Sequence, residues 1–124
     1  MWTTTELGRQ GEQRMKNGLR AIHPGEILRE EYLAPLGISP HALSKALRVP
    51  PARINDICLG RRGITPDTAL RLARFFGGDA KSWLNLQLTY DLKVAEKAAA
   101  KAIAKEVPTI KELAATDERF ALAA

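Results

Sequence analysis

The stretch ISPHALSKALRVPPARINDICLGRRG, residues 38–63, predicts two short helices joined by a tight turn. Ser39 is a typical N-cap, and Pro40 suits the first helical position. Proline is tolerated in a first helical turn, so the prolines at 50–51 mark the start of the second helix, which Gly60 ends. Apolar residues recur at helical spacing in both halves; they are Leu43, Ala46, Leu47, Ile54, Ile57 and Cys58. This pattern is typical of a helix-turn-helix, whose second helix can lie in the major groove of DNA.

Charge and composition narrow the class of protein. The chain has 124 residues and a formal net charge of +5, which suit one domain and a polyanionic partner; a merely basic soluble protein is the alternative. The single cysteine, Cys58, excludes an internal disulfide and lies on an apolar stripe, where we expect a small core residue. The sequence has no long apolar run and no signal-peptide pattern, so we expect a cytoplasmic protein without a membrane span.

The geometry of a helix-turn-helix gives separate roles to the surface residues within the stretch 38–63. The first residues of the second helix point towards base edges; here they are Pro51, Ala52, Arg53, Asn55 and Asp56. Arg53 can contact guanine through two hydrogen bonds and Asn55 can contact adenine, while Asp56 either accepts from cytosine or orients Arg53. Flanking residues suit phosphates, which fix register without reading sequence; they are Ser39, His41, Lys45, Arg48, Arg61 and Arg62.

The same polar residues could instead be ordinary solvated charges or belong to an enzyme. Residues 41–74 contain seven Lys or Arg against two Asp, and this concentration of positive charge beside the second helix favours DNA. An enzyme would need polar groups that converge in a pocket. The sequence has no glycine-rich phosphate loop, no metal-ligand spacing and no nucleophile paired with a base. We therefore expect no catalysis, no cofactor and no metal site.

A first helix is predicted to begin at His23 and Pro24. Its apolar face is formed by Ile27, Leu28, Tyr32 and Leu33. Glu30 and Glu31 are expected on a solvated face, and Pro35 is expected to stop the helix. No cluster of potential ligands surrounds His23, so a capping or surface role is favoured over metal binding.

Two further helices follow the central stretch. Thr65 and Pro66 open the first of them, and glycines 77–78 end it. Its apolar stripe consists of Ala69, Leu72, Ala73 and Phe76, widened by Leu70 and Phe75. Asp79 caps the next helix.

That next helix carries two apolar rows, more than one side of a small domain usually needs. One row consists of Leu84, Leu88, Leu92 and Ala95. The other consists of Trp83, Leu86, Tyr90 and Val94. We expect one row to close the core and take the second one as the candidate interface for a dimer or another protein; a fully buried helix is the alternative.

Three separated motifs resemble one known family. They are HPGEILREEYLAPLGIS at 23–39, LGRRGITPDTALRLARFFG at 59–77 and WLNLQLTYDL at 83–92. The chain resembles the HigA-type addiction-module antitoxins, a branch of the Xre-like helix-turn-helix proteins, over residues 23–96. The resemblance implies an all-α, five-helix fold like that of the lambda repressor, with a long C-terminal helix. It also implies a DNA-binding homodimer that neutralises a RelE-like ribonuclease toxin and represses the shared operon.

The chain departs from this family at the predicted DNA-reading surface. Arg48 stands in the central turn where the family has a small or flexible residue, and Leu59 stands where many members have asparagine. The prolines at 50–51 are also unusual, so the operator sequence cannot be carried over. A stand-alone Xre-type repressor without a toxin partner is the alternative function.

The two ends of the chain lie outside the resemblance. We divide the chain into a mobile or weakly helical segment 1–21, a helix-turn-helix domain 22–96, and a helical extension and tail 97–124. For segment 1–21, ordering against a partner protein is the alternative. The final residues AATDERFALAA, 114–124, resemble the tag that bacteria append to nascent chains on stalled ribosomes. A degradation signal read by an AAA+ protease is expected at Ala121, Leu122, Ala123 and Ala124; a chance alanine-rich end is the alternative.

Overall fold

The computed structural model describes residues 20–121, in which every regular element is helical. Helix α1 spans residues 24–36 and consists of an α-helical turn, Pro24–Ile27, a π-helical segment, Leu28–Leu33, and a last α-helical turn, Ala34–Leu36. The other elements are α2 (Pro40–Leu47), α3 (Pro51–Cys58), α4 (Pro66–Phe76), α5 (Ala80–Glu106), α6 (Ile110–Ala114) and a 3-10 turn (Glu118–Phe120). The all-α class and the long C-terminal helix are confirmed.

The described residues divide into two compact units, 20–93 and 94–121. The domain division expected from the sequence remains a prediction, and most of its segment 1–21 lies outside the described residues. Within residues 20–121, no helix is both long enough and apolar enough to cross a membrane.

Side chains cap the first turns of five helices, four of them at residues that the sequence indicated. Each accepts a hydrogen bond of 2.7–3.5 Å from a backbone N–H within the first turn. The capping residues are His23, Ser39, Thr65, Asp79 and Thr109. Each cap satisfies a backbone donor that has no partner inside its helix, and so fixes where the helix begins.

The core of the first unit is formed by the apolar faces of α1 to α4 and by the first turns of α5. Its buried residues include Ile27, Leu28, Leu43, Ile54, Ile57, Leu72, Trp83 and Leu86. Ala46, Leu70 and Phe75, which the helical pattern placed on apolar stripes, are exposed. That part of the prediction is wrong because these residues extend past the edge of the surface that the neighbouring helices cover.

Helix α1 differs from its prediction at two points. It continues through Pro35 and ends at Leu36, where Gly37 takes the left-handed conformation with a φ of 67°. In the π-helical segment the N–H of Ala34 donates to Arg29, five residues back, and this wider turn accommodates the proline. Glu31, expected on a solvated face, lies in this π-helical segment and is only 6% exposed, so that expectation is wrong.

Helix α5 uses its two apolar rows in the opposite way to our expectation. Trp83 and Leu86 are buried in the core, so their assignment to a partner interface is wrong. The Trp83 ring lies 4.9 Å from the ring of Tyr32 on α1, which places the start of this row inwards. Tyr90 is half-buried and Val94 is 44% exposed, so the role of these two residues at an interface stays a prediction. The other row is solvent-facing: Leu88 is 64% exposed and Leu92 is 54% exposed.

Candidate nucleic-acid interface

The turn between α2 and α3 is built on an arginine. Arg48 has a φ of 61°, in the left-handed region that L-residues other than glycine rarely adopt. Its N–H donates to Lys45, and the N–H of Val49 donates to Ser44 over 3.1 Å. The Ser44 hydroxyl then donates to the carbonyl oxygen of Pro51 over 3.3 Å, which connects α2 to the first turn of α3. The turn at 48–49 is thus confirmed, with its backbone groups bonded.

Arginines from other helices bind the C-terminal ends of α2 and α3. Nη1 of Arg71 on α4 donates to the Leu47 carbonyl oxygen over 2.8 Å. Nη1 of Arg29 on α1 donates to the Cys58 carbonyl oxygen, also over 2.8 Å. A cation at a helix C-terminus is favoured by the carbonyl groups that lack partners there. Both contacts join residues more than twenty positions apart, and the sequence pattern did not indicate them.

The N-terminal part of α3 presents an exposed surface. Pro51, Ala52 and Asn55 are exposed, while Ile54 is fully buried. His41, on α2, lines a shallow depression together with Pro51, Ala52 and Asn55. Three of the residues predicted to read bases thus share one face, with a predicted phosphate contact beside them.

The two charged residues of the predicted reading set are held in ion pairs. Nη1 of Arg53 lies 2.8 Å from Oδ2 of Asp67 on α4. Oδ2 of Asp56 lies 3.7 Å from Nη2 of Arg62. Asp56 therefore pairs with Arg62, and Asp67 is the carboxylate that contacts Arg53, so the alternative in which Asp56 orients Arg53 is wrong.

Asp67 is a residue of this site that the sequence analysis missed. Its Oδ2 also accepts from Nε of Arg71 over 3.0 Å. The hydrogen bond from Arg71, together with the charges of Arg71 and Arg53, holds the pKa of Asp67 below its ordinary value, so the carboxylate stays ionised. The spacing of four residues on one helix could have suggested the pair with Arg71. The pair with Arg53 is separated by fourteen positions and needed the tertiary structure.

The predicted phosphate contacts surround this face and are all exposed. They are Ser39, His41, Lys45, Arg48, Arg61 and Arg62. The Ser39 hydroxyl is already used to cap α2. Arg61 and Arg62 follow Gly60, whose φ of 75° turns the chain after α3. These positions carry positive charge at both ends of the exposed face of α3, which suits a polyanionic surface.

His23 takes the capping role that the sequence favoured. Its Nδ1 accepts from the N–H of Gly25 over 2.9 Å, and its ring lies 4.9 Å from that of Tyr90. Burial lowers the pKa of His23 from its ordinary value of 6.5, and the nearby charge of Asp91 opposes this effect. Within residues 20–121 there is no group of three His, Cys, Asp or Glu residues arranged to hold a metal ion.

Little of the predicted degradation signal falls within the described residues. Ala121 is exposed and follows the 3-10 turn Glu118–Phe120. Leu122, Ala123 and Ala124 lie outside the described residues. Before them, α5 ends at Glu106, ahead of Pro108, and Thr109 caps α6.

Comparisons with known proteins agree with this geometry. A family model described as helix-turn-helix matches residues 28–82. The virulence-associated protein I of Dichelobacter nodosus is 70% identical over 82 residues, which are 66% of this chain and 76% of that protein. A solved addiction module antidote protein of the HigA family from Coxiella burnetii is 50% identical, with a TM-score of 0.70, over 73% of this chain and 99% of that one.

A second solved relative is bound to DNA. The Pseudomonas aeruginosa antitoxin HigA, solved with the higBA promoter, is 48% identical over 72% of this chain and 97% of that one, with a TM-score of 0.70. Both solved relatives are named as antitoxins or antidote proteins of the HigA kind. This chain belongs to the HigA family of antitoxins, within the Xre-like helix-turn-helix proteins.

Proposed function

We propose that this protein is the antitoxin of a type II toxin–antitoxin module, which neutralises a RelE-like ribonuclease toxin by direct binding and represses its own operon. The observation that carries the DNA-binding half is the exposed N-terminal face of α3 with exposed cationic residues on both sides. A relative that is 48% identical has been solved with a promoter, which supports DNA binding by this chain. A stand-alone Xre-type repressor without a toxin partner is the alternative function.

The reading face is proposed to work as the helix-turn-helix geometry suggests. Asn55 and Arg53 contact base edges, with Pro51 and Ala52 in apolar contact and Asp56 beside them. The exposed cationic residues contact phosphates on both sides and fix the register of α3 in the groove. Since Asp56 lies near Arg62, we propose that it acts mainly by orienting that phosphate contact.

We propose that the DNA-bound form is a homodimer and that the exposed row of α5 forms its interface. Leu88 and Leu92, with half-buried Leu84, repeat every four residues along one side of the helix. A twofold axis across such a row would place the same leucines of two copies against each other. This row replaces Trp83 and Leu86, whose burial in the core excludes them.

The proposal of a toxin partner is tested by expressing the small open reading frame next to this gene, alone and together with this chain. We expect growth arrest by the neighbour alone, rescue by this chain, and co-purification of the two proteins. A neighbour that is harmless, or that neither binds this chain nor is neutralised by it, would favour the stand-alone repressor.

Toxin neutralisation and DNA binding are expected to use different surfaces, because the exposed face of α3 has little apolar area to offer a protein. A variant with Arg53→Ala and Arg62→Ala should therefore lose operator binding and still rescue growth. If this variant is folded and fails to rescue, the two surfaces overlap.

A further inference from the structure

A hydrogen-bonded series of side chains joins the end of α2 to the reading face of α3 through α4. The carbonyl oxygen of Leu47 accepts from Nη1 of Arg71 over 2.8 Å. Nε of the same guanidinium donates to Oδ2 of Asp67 over 3.0 Å, and that oxygen accepts from Nη1 of Arg53 over 2.8 Å. Asp67 is therefore fixed on one side by an arginine that is itself bonded to the main chain, and holds Arg53 on the other.

This arrangement orients the guanidinium of Arg53 without occupying all of it. An arginine side chain carries five N–H donors in a rigid planar fork. The bond to Asp67 engages Nη1, so a bidentate contact to guanine can use the opposite edge, formed by Nε and Nη2. The Arg53 side chain is 27% exposed, which leaves part of the fork accessible beside α3.

Stability is a poor explanation for this network. The Asp67 side chain is 58% exposed and that of Arg71 is 40% exposed, and ion pairs between such exposed groups contribute little to folding. The network does, however, lie where Arg53 would meet DNA. We therefore expect the network to affect the conformation of Arg53 and to limit the hydrogen-bond acceptors that Arg53 can reach.

We propose that Asp67 is a positioning residue that makes Arg53 selective for its base pair. Asp67 keeps the guanidinium aligned with the groove and competes with phosphate oxygens for it. This inference rests on the proposed function, since it requires Arg53 to read a base. Nothing in the sequence motif itself gives Asp67 this role.

Two consequences follow from removing the carboxylate. Arg53 would lose its orientation, so its contact to guanine would carry a larger loss of side-chain entropy. It would also be free to bind phosphates, which every DNA sequence presents equally. The first effect weakens binding to the preferred site and the second strengthens binding to any DNA, so both lower the preference for the preferred site.

The test compares two DNA duplexes. One is the site that the wild-type protein selects from a randomised duplex library, and the other is a scrambled duplex of the same length and composition. Dissociation constants for both are measured with the wild-type chain, Asp67→Ala, Asp67→Asn, Arg53→Ala and the Arg53→Ala, Asp67→Ala double variant. Glu96→Ala, which removes one negative charge from an exposed position of α5, controls for the change in net charge.

We expect Asp67→Ala to lower the ratio of selected-site to scrambled-site affinity by about two- to fivefold, the range typical of an exposed ion pair. Asp67→Asn keeps the size and an uncharged acceptor and should give a smaller decrease. In the Arg53→Ala background the Asp67 substitution should have no further effect on the ratio, because Asp67 acts through Arg53. Glu96→Ala should strengthen binding to both duplexes alike and leave the ratio unchanged.

The outcomes separate this inference from the function on which it rests. If Arg53→Ala lowers the ratio but both Asp67 variants leave it unchanged, or if Asp67→Ala lowers it equally in both backgrounds, Asp67 does not position Arg53. If Arg53→Ala leaves the ratio unchanged, base reading by Arg53 is wrong, and the role of Asp67 is wrong with it. If no duplex is selected from the library by a folded protein, the proposed DNA-binding function itself fails.

Discussion

Gly25 lies so close to the main chain of Ile57 that a methyl group at Gly25 would collide with the Ile57 carbonyl group. Gly25 is in the first turn of α1 and Ile57 is near the end of α3, so the start of α1 packs directly on the proposed reading helix. The hydrogen bond from Arg29 to the carbonyl of Cys58 joins the same two helices. Glycine is required here because two backbones approach closely.

Replacing this glycine should separate α1 from α3. We expect Gly25→Ala to lower the free energy of unfolding by at least about 1–3 kcal/mol, the usual range for overpacking, because the obstructing atoms belong to the backbone and cannot rotate away. Urea unfolding followed by circular dichroism measures the change. Gly37→Asn is the matched control, since Gly37 has open space around it and asparagine tolerates its φ of 67°. An equal loss in both variants would show that the close approach does not limit packing.

Base reading and phosphate binding should respond differently to arginine substitutions. We expect Arg53→Ala to cost about 1–3 kcal/mol at the selected site and to relax preference at one base pair. Arg61→Ala should weaken binding to all sequences alike and reduce the slope of affinity against salt by about one. Titrations of the selected and scrambled duplexes at several salt concentrations distinguish the two. Equal losses on both duplexes for Arg53→Ala would contradict base reading.

The proposed dimer predicts the spacing of the two half-sites that the protein contacts on DNA. Two copies of α3 should contact half-sites about one helical turn, roughly 34–36 Å, apart, and footprinting should show a paired site. Leu88→Asp places a charge in the exposed row of α5 and should give a monomer by analytical ultracentrifugation, with weaker binding to the paired site. Leu70→Asp changes a leucine of equal exposure, 64%, on α4 and should leave the dimer intact. A wild-type monomer that protects a single half-site would contradict this model.

The cap at His23 predicts a dependence of stability on pH. The Nδ1 atom accepts a hydrogen bond only while the ring is neutral, and burial lowers the His23 pKa below 6.5 in the folded protein. Between that lowered pKa and 6.5 the unfolded chain binds more protons, so the free energy of unfolding should rise with pH through this window and level off above it. The contribution is lost as the pH falls through the folded pKa.

A variant that caps without titrating isolates this effect. His23→Asn keeps a side-chain acceptor for the N–H of Gly25, since asparagine is a good N-cap, but has no proton to gain. Urea unfolding from pH 5 to pH 8, roughly the range over which histidine titrates, should give a flatter curve for His23→Asn than for the wild-type chain. Exposed His41 is present in both proteins and cancels in the comparison. Parallel curves would mean that the cap does not couple folding to pH.

The tag-like end predicts a short lifetime in the cell. We propose that a protease reads residues 121–124, whose small apolar side chains can enter a narrow pore; Ala121 is exposed after a short 3-10 turn. Ala123→Asp with Ala124→Asp puts charge at that end and should lengthen the half-life after translation is stopped, without changing operator affinity. Ala98→Glu with Ala102→Glu adds the same charge on exposed positions of α5 and should not. Identical decay of the wild-type and tail variants would leave the tail as a chance alanine-rich end.

The sequence by itself determined where most of the helices begin and where the helix-turn-helix lies. Ser39, Thr65, Asp79 and the prolines that follow the first two set where helices begin, because capping and proline geometry are local properties of the chain. Apolar spacing likewise identified the buried residues of α1 and α3, since helical periodicity repeats over a few positions. The exposed reading face follows from these local facts.

Only the tertiary structure decided which apolar row of α5 is buried and how charged side chains pair. Both rows are apolar, and the packing of Trp83 against Tyr32 buries the start of one of them, leaving Leu88 and Leu92 of the other exposed. The pairing of Arg53 with Asp67 depends on α3 and α4 lying side by side, which no local pattern specifies. Local spacing determines which residues share a helix face, whereas the partner of each face depends on the contacts that close the core.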